Sequence, residues 1–222
     1  MRFLGLLASL LVFAAQPAWA VDSPRLRSLE QRLAAMAAEN PGEYGIAALD
    51  LTSGETISFN GQQAFPMAST MKIAVAAAYL AEVDSGRRTL QDPVAGSSAL
   101  KLMDAMITRS DNRATDLLMG TLGGPAAIDA WLRGHALSGI RVDRTIAQLL
   151  SDRRDLRDVR DSSTPIAMLG LLRLIDSEGA LSSQSRYLLR DMMRRCATGS
   201  NRIRGILPPG ATVEHKTGTL SG

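Results

Sequence analysis

A chain of 222 residues is long enough for one good-sized core. Its composition, 45% hydrophobic and 21% charged, is that of an ordinary globular protein, and a formal net charge of +3 is too small to argue for a nucleic-acid partner. One cysteine, Cys196, excludes an internal disulfide, and His135 and His215 stand in none of the spacings that hold zinc, so neither a metal nor a cofactor is expected.

In chain order, the first twenty residues carry one arginine, an apolar run from Phe3 to Ala15, and Ala18-Trp19-Ala20. That is the pattern of a secretory signal with a small-residue cleavage site, and its apolar run is too short to span a bilayer. The mature chain is expected to begin at Val21, to keep no stable membrane anchor, and to work as a periplasmic monomer. A helix is predicted over 23–39, with Leu26, Leu29 and Leu33 on one face and Pro41-Gly42 beyond its end. Residues 44–51 and 55–60 alternate as a β-hairpin about Ser53-Gly54. From Phe65 to about 197 the pattern is helical, over 69–83, 99–108, 112–122, 125–134, 165–177 and 183–195. Gly123-Gly124 and a long segment, 138–164, interrupt it. Residues 211–220, "ATVEHKTGTL", read as a terminal strand.

Strands at both ends with helices between them imply one α/β domain over 21–222. Residues 21–64 and 198–222 would form its α/β lobe, and 65–197 an inserted all-helical lobe. The segment 141–161 carries six arginines and five aspartates, which suits a salt-bridged surface. A connection this long is also often part of a functional site.

The chemistry concentrates around "ASTMK". Ser69 and Lys72 are spaced i, i+3, so they share a helix face near a helix start. Backbone N–H groups and the helix dipole there favour an oxyanion. A serine hydroxyl is a poor nucleophile until a base takes its proton. Arginine does not deprotonate in proteins, whereas a desolvated lysine does. The chain has 22 arginines and only 3 lysines, and one of the three stands here. Two further motifs accompany it: Ser110-Asp111-Asn112 at a helix start, and Lys216-Thr217-Gly218 near the end. By composition the three together are expected by chance in about one chain in ten thousand.

On these motifs, and on the stretches "YGIAALDLTSGETISFNGQQAFPMASTMKIAVAAAYL", "ITRSDNRATDLLMGTLGGPAAIDAWLR" and "DSSTPIAML", the chain from about residue 24 onward resembles the class A serine β-lactamases and the penicillin-binding proteins that share their fold. The resemblance implies an antiparallel sheet flanked by helices with an inserted helical lobe. It also implies residue roles. Ser69 forms an acyl-enzyme, Lys72 accepts its proton, and Ser110 relays a proton to the departing nitrogen. Asn112 binds the substrate's side-chain amide. Lys216, Thr217, Gly218 and Thr219 line the substrate carboxylate and the oxyanion hole, with the backbone N–H groups of Ser69 and Thr219 facing the oxyanion. Arg144 and Asp161 pin the base of the long loop. The implied ligand is a small β-lactam or a peptidoglycan-like fragment.

Two departures matter. The family carries R-x-E-x-x-L-N in the long loop, and this chain has "RTIAQLL", so Ile146 stands where a glutamate activates water and Leu150 replaces the asparagine. Gln148 could orient a water but could not take its proton. Asp152, Asp155 or Asp158 could supply a carboxylate only in a rebuilt loop. Acylation with impaired deacylation is therefore expected. A D-Ala-D-Ala peptidase and a non-catalytic sensor of β-lactam or cell-wall fragments remain alternatives. The family's strand bearing K-T-G is also followed by two more strands and a helix, so the sequence to Gly222 is expected to be a fragment in which 211–220 has no sheet neighbour.

Overall fold

The computed structural model describes residues 24–153 and 155–220, so the expected signal segment lies outside the described residues. Helix α1 (Pro24–Glu39) leads into the hairpin β1 (Ile46–Leu49) and β2 (Thr56–Phe59). The two strands pair antiparallel, Ile46 opposite Phe59 and Leu49 opposite Thr56. α1 lies against β2, and α7 (Pro165–Asp176) lies against β1. The hairpin is therefore flanked by helices, as the α/β reading expects.

A second centre is α2 (Lys72–Asp84), entered through a single 3-10 turn, Ala68–Met71. Every residue from Lys72 to Leu80 is buried. The run "IAVAAAYL" is apolar on all sides, and a helix of that kind belongs inside a bundle. Helices α3 (Ala99–Thr108), α4 (Asn112–Thr121), α5 (Pro125–Gly134) and α8 (Ser183–Arg194) surround it. Their starts follow the sequence closely. Ser98, Asp111, Thr164 and Ser182 each accept a backbone N–H three residues on, as N-caps do. Pro125 and Pro165 occupy first-turn positions, where no donor is lost.

The segment 138–164 is more ordered than its charge pattern suggested. It contains the short helix α6 (Ile146–Ser151), capped by Thr145 and Gln148 in a reciprocal box, and the two-residue strand β6 (Ser162–Ser163). β6 pairs with β3 (Phe65–Pro66), which joins the end of the loop to the residues just before Ser69. A further small pair, β4 (Pro93–Val94) with β5 (Ser97–Ser98), precedes α3.

One expectation is corrected. Residues 211–220 form no strand, because no ladder partner lies beside them among the described residues. Side chains hold the segment instead. Arg190 and Arg194 bind Glu214 at 2.8 and 2.7 Å, and the His215 N–H donates to Met193 O at 3.2 Å. The outer edge of β1 is likewise unpaired among the described residues. Two apolar grooves flank this region. One, about 720 Å³, is lined by Leu26, Leu49, Leu137, Ile166 and Leu169. The other, about 270 Å³, is lined by Leu51, Leu172, Ile175 and Met193. Among the described residues no helix is long and apolar enough to cross a membrane.

Candidate active site

Ser69 sits in the 3-10 turn rather than in the first turn of the α-helix, half-buried, one turn before Lys72. The residue before it, Ala68, has φ +47°. Ser110, in the link between α3 and α4, has φ +60°, and Asp161 has φ +52°. Non-glycine residues held in this region cost about 1–3 kcal/mol each and cluster at functional sites. Here Ala68 precedes Ser69, Ser110 meets Lys72, and Asp161 O accepts the Met67 N–H.

Lys72 is buried at the start of α2. Its Nζ donates to Ser110 O at 2.7 Å, Ser110 Oγ at 3.1 Å and Asn112 Oδ1 at 2.7 Å. An ammonium has three donors and no acceptor, so these three bonds describe the protonated amine. Burial lowers the Lys72 pKa from its ordinary value to about 8, and the Lys216 charge pushes the same way, against Asp111 and Asp116. Loss of one proton would open a lone pair on Nζ. Among the described residues the Ser69 hydroxyl makes no hydrogen bond, so the resting structure does not join Ser69 to Lys72.

Lys216 arrives from the opposite side on the terminal segment. Its Nζ donates to Ser110 Oγ at 3.0 Å and to Thr217 O at 2.9 Å. Burial lowers its pKa too. Ser110 Oγ thus receives two cationic donors, which fill both of its lone pairs. Its own O–H is left to donate, which is what a leaving nitrogen requires. Asn112 gives its oxygen to Lys72, and its amide N–H₂ has no partner among the described residues.

Gly218 explains itself by contact. A Cβ there would stand 2.5 Å from Met67 O, so only glycine lets the terminal segment approach the turn that bears Ser69. The Thr219 N–H has no partner among the described residues. The structure therefore brings Ser69, Lys72, Ser110, Asn112, Lys216, Thr217, Gly218 and Thr219 around one space. Two lysines, four hydroxyls and an unpartnered N–H suit an anionic ligand with a reactive carbonyl. Among the described residues no group of three His, Cys, Asp or Glu side chains is placed to hold a metal ion.

The loop carries Arg144 and Asp161 as a buried pair, 7% and 2% exposed. Arg144 Nε donates to Asp161 Oδ2 at 2.6 Å, while the N–H groups of Asp143 and Arg144 donate to Asp161 Oδ1 at 2.8 and 3.0 Å. The Met67 N–H donates to Asp161 O at 2.9 Å, so the pin also holds the turn bearing Ser69. Ile146 is 3% exposed and belongs to the core. Gln148 is exposed, and its side chain closes the α6 cap, so it is not turned toward a water beside Ser69. Asp152 and Asp158 are tied to Arg144 and Arg160, and Arg160 holds the Asp158 carboxyl down at about 2. Asp155 accepts the Arg157 N–H. None of the three contacts Ser69, Lys72 or Ser110.

Sequence reasoning missed Asp116, Thr198 and Arg202. Asp116, one turn beyond Asn112 on α4, accepts the N–H groups of Ile146 and Ala147 at 2.7 and 2.9 Å and so holds α6 to α4. Its i+4 spacing from Asn112 was a legible signal. Thr198 and Arg202 reach Thr217, Gly218 and Thr219 from the connection after α8, and no spacing foretells that.

Comparison with known proteins shows the family and the fold. A family model described as the beta-lactamase enzyme family matches residues 28–222. An ancestral class A beta-lactamase is 37% identical with a TM-score of 0.82, over 86% of this chain and 80% of that one. The class A beta-lactamase of the last common ancestor of Gram-negative bacteria is 36% identical with a TM-score of 0.81, over 86% and 80%. A beta-lactamase from Desulfarculus baarsii DSM 2075 is 31% identical with a TM-score of 0.82, over 87% and 78%.

Proposed function

Because the chain belongs to the beta-lactamase enzyme family, we propose that it opens the β-lactam amide through an acyl-Ser69 intermediate that it releases slowly. The observation that carries the reading is the Lys72–Ser110–Lys216 arrangement beside Ser69, together with the buried Ile146. Neutral Lys72 accepts the Ser69 proton as Oγ attacks the carbonyl. The oxyanion is met by the N–H groups of Ser69 and Thr219. Ser110 gives its proton to the departing ring nitrogen and is reprotonated by Lys72. Asn112 binds the acylamide side chain, and Lys216 with Thr217 and Gly218 attracts the substrate carboxylate. No cofactor takes part.

Deacylation needs a base on the water. The loop offers an apolar side chain at 146, Asp152 and Asp158 are committed to arginines, and Asp155 is turned to the Arg157 N–H. Loss of a general base costs about 10²–10⁴ in rate. Mixing the protein with a chromogenic cephalosporin should release about one equivalent of product per protein in a burst, followed by a slow steady phase. Rapid linear turnover without a burst would overturn the slow-release reading.

The same absence of a loop carboxylate at 146 supports a second reading, a D-Ala-D-Ala peptidase of this fold, for which a depsipeptide ending in D-alanyl-D-lactate is the test substrate. In either case the chain acts as a secreted monomer cleaved after Ala20. Its partner is a small-molecule substrate, with no nucleic acid. N-terminal sequencing of the exported protein checks the cleavage.

A further inference from the structure

Thr217 is held from behind by the turn that follows α8. Thr198 Oγ1 lies 2.6 Å from Thr217 Oγ1 and 3.3 Å from the buried Cys196 Sγ. The next residue, Gly199, has φ +70°, and a Cβ on it would meet Thr217 Cγ2 at 2.5 Å. The methyl of Thr217 therefore rests on Gly199 while its hydroxyl rests on Thr198, and one χ1 rotamer satisfies both. Arg202, from the same turn, donates to Gly218 O at 3.1 Å and Thr219 Oγ1 at 2.9 Å. The Thr198 carbonyl faces His215 Nε2 at 3.0 Å. A segment without ladder partners is thus seated residue by residue on 198–202.

The hydrogens can be assigned by what an anion requires. A carboxylate only accepts, so Thr217 must donate its O–H to it. Thr217 then accepts from Thr198, whose single O–H is used. Thr198 in turn has its lone pairs open to the Cys196 S–H. The row Cys196, Thr198, Thr217 runs one way and ends at the ligand, and such chains polarise one another.

We propose that Thr198 is a positioning residue for recognition of the substrate carboxylate: it orients the Thr217 hydroxyl as a donor into the site, backed by Cys196. The inference rests on the acyl-serine reading above. Its specificity consequence is that Thr198 matters for β-lactams bearing a free carboxylate and not for their esters.

The test compares second-order acylation constants, followed by intact mass, for benzylpenicillin and its methyl ester. Thr198→Val should slow the acid about tenfold, the size of a hydrogen bond to a charged group, and change the ester less than about twofold. Thr198→Ser should restore the acid to within about threefold of wild type. Cys196→Ala leaves Thr198 in place and should show the same acid selectivity at about two- to threefold. It also serves should the valine variant fail to fold. Equal slowing of acid and ester, or no slowing of either, would overturn the proposal. A wild-type protein that forms no adduct with the acid would instead remove the acylation reading, and the inference with it.

Discussion

Lys72 is the residue on which the chemistry turns. In the proposed mechanism it attacks nothing itself, but it must lose a proton before Ser69 can. With its pKa near 8, about a tenth of the molecules hold it neutral at pH 7. Acylation should therefore fall roughly tenfold per pH unit below about 8 and level off above it, as stopped-flow acylation across pH would show. Folding carries the matching signature. The unfolded lysine keeps its proton up to about 10.5 while the folded one gives it up near 8. Stability contributed at this position should rise with pH between those values, where the unfolded chain binds more protons. Denaturant midpoints for wild type and Lys72→Met would isolate that contribution. Gly218→Ala should push the terminal segment off Met67 O and cut acylation about 100-fold, the effect of an ångström's misplacement. The reactive side chains were legible because lysine is rare in this chain and the spacing within each motif is local. Thr198 and Arg202 were not, because what they touch is decided by how distant segments approach.

At the scale of elements, the helical residue pattern made the helices readable. Ser98, Asp111, Thr164 and Ser182 mark true starts, and the expected ends fall within a residue or so of those observed. Short pairings escaped notice. β3 and β6 are two residues each and have no alternation to detect. The terminal segment reads as a strand by composition, but strand formation depends on a neighbour, and none is present among the described residues. Ser69 was expected inside an α-helix and lies in a 3-10 turn, a distinction of hydrogen bonding that residue pattern does not encode. The loop pin is the element-level contact with the largest consequence. Asp161→Ala leaves Arg144 buried with one partner fewer and strips two backbone donors of their acceptor. It should cost about 3–5 kcal/mol in chemical denaturation. It should also slow acylation, because residue 161, whose main-chain O keeps the Met67 N–H, would no longer be fixed by its side chain.

Over the whole molecule, the helical bundle around α2 is closed, and the region beside the hairpin is open. Leu51, in the hairpin turn, is 67% exposed, and Leu49 lines both grooves. Contiguous apolar surface of this kind attracts other apolar surface. The 222-residue polypeptide should bind anilinonaphthalene dyes strongly, and Leu49→Lys should weaken that binding, read by fluorescence titration. The site lies where the two regions meet: the 3-10 turn, α2 and the α3–α4 link supply Ser69, Lys72 and Ser110, and the segment beside the open region supplies Lys216 to Thr219. The most direct measurement of the central claim is peptide mapping after brief exposure to benzylpenicillin. One penicilloyl group should be found on Ser69, persisting for many minutes and absent from Ser69→Ala. A drug adduct on any other residue, with Ser69 unmodified in folded protein, would contradict the account.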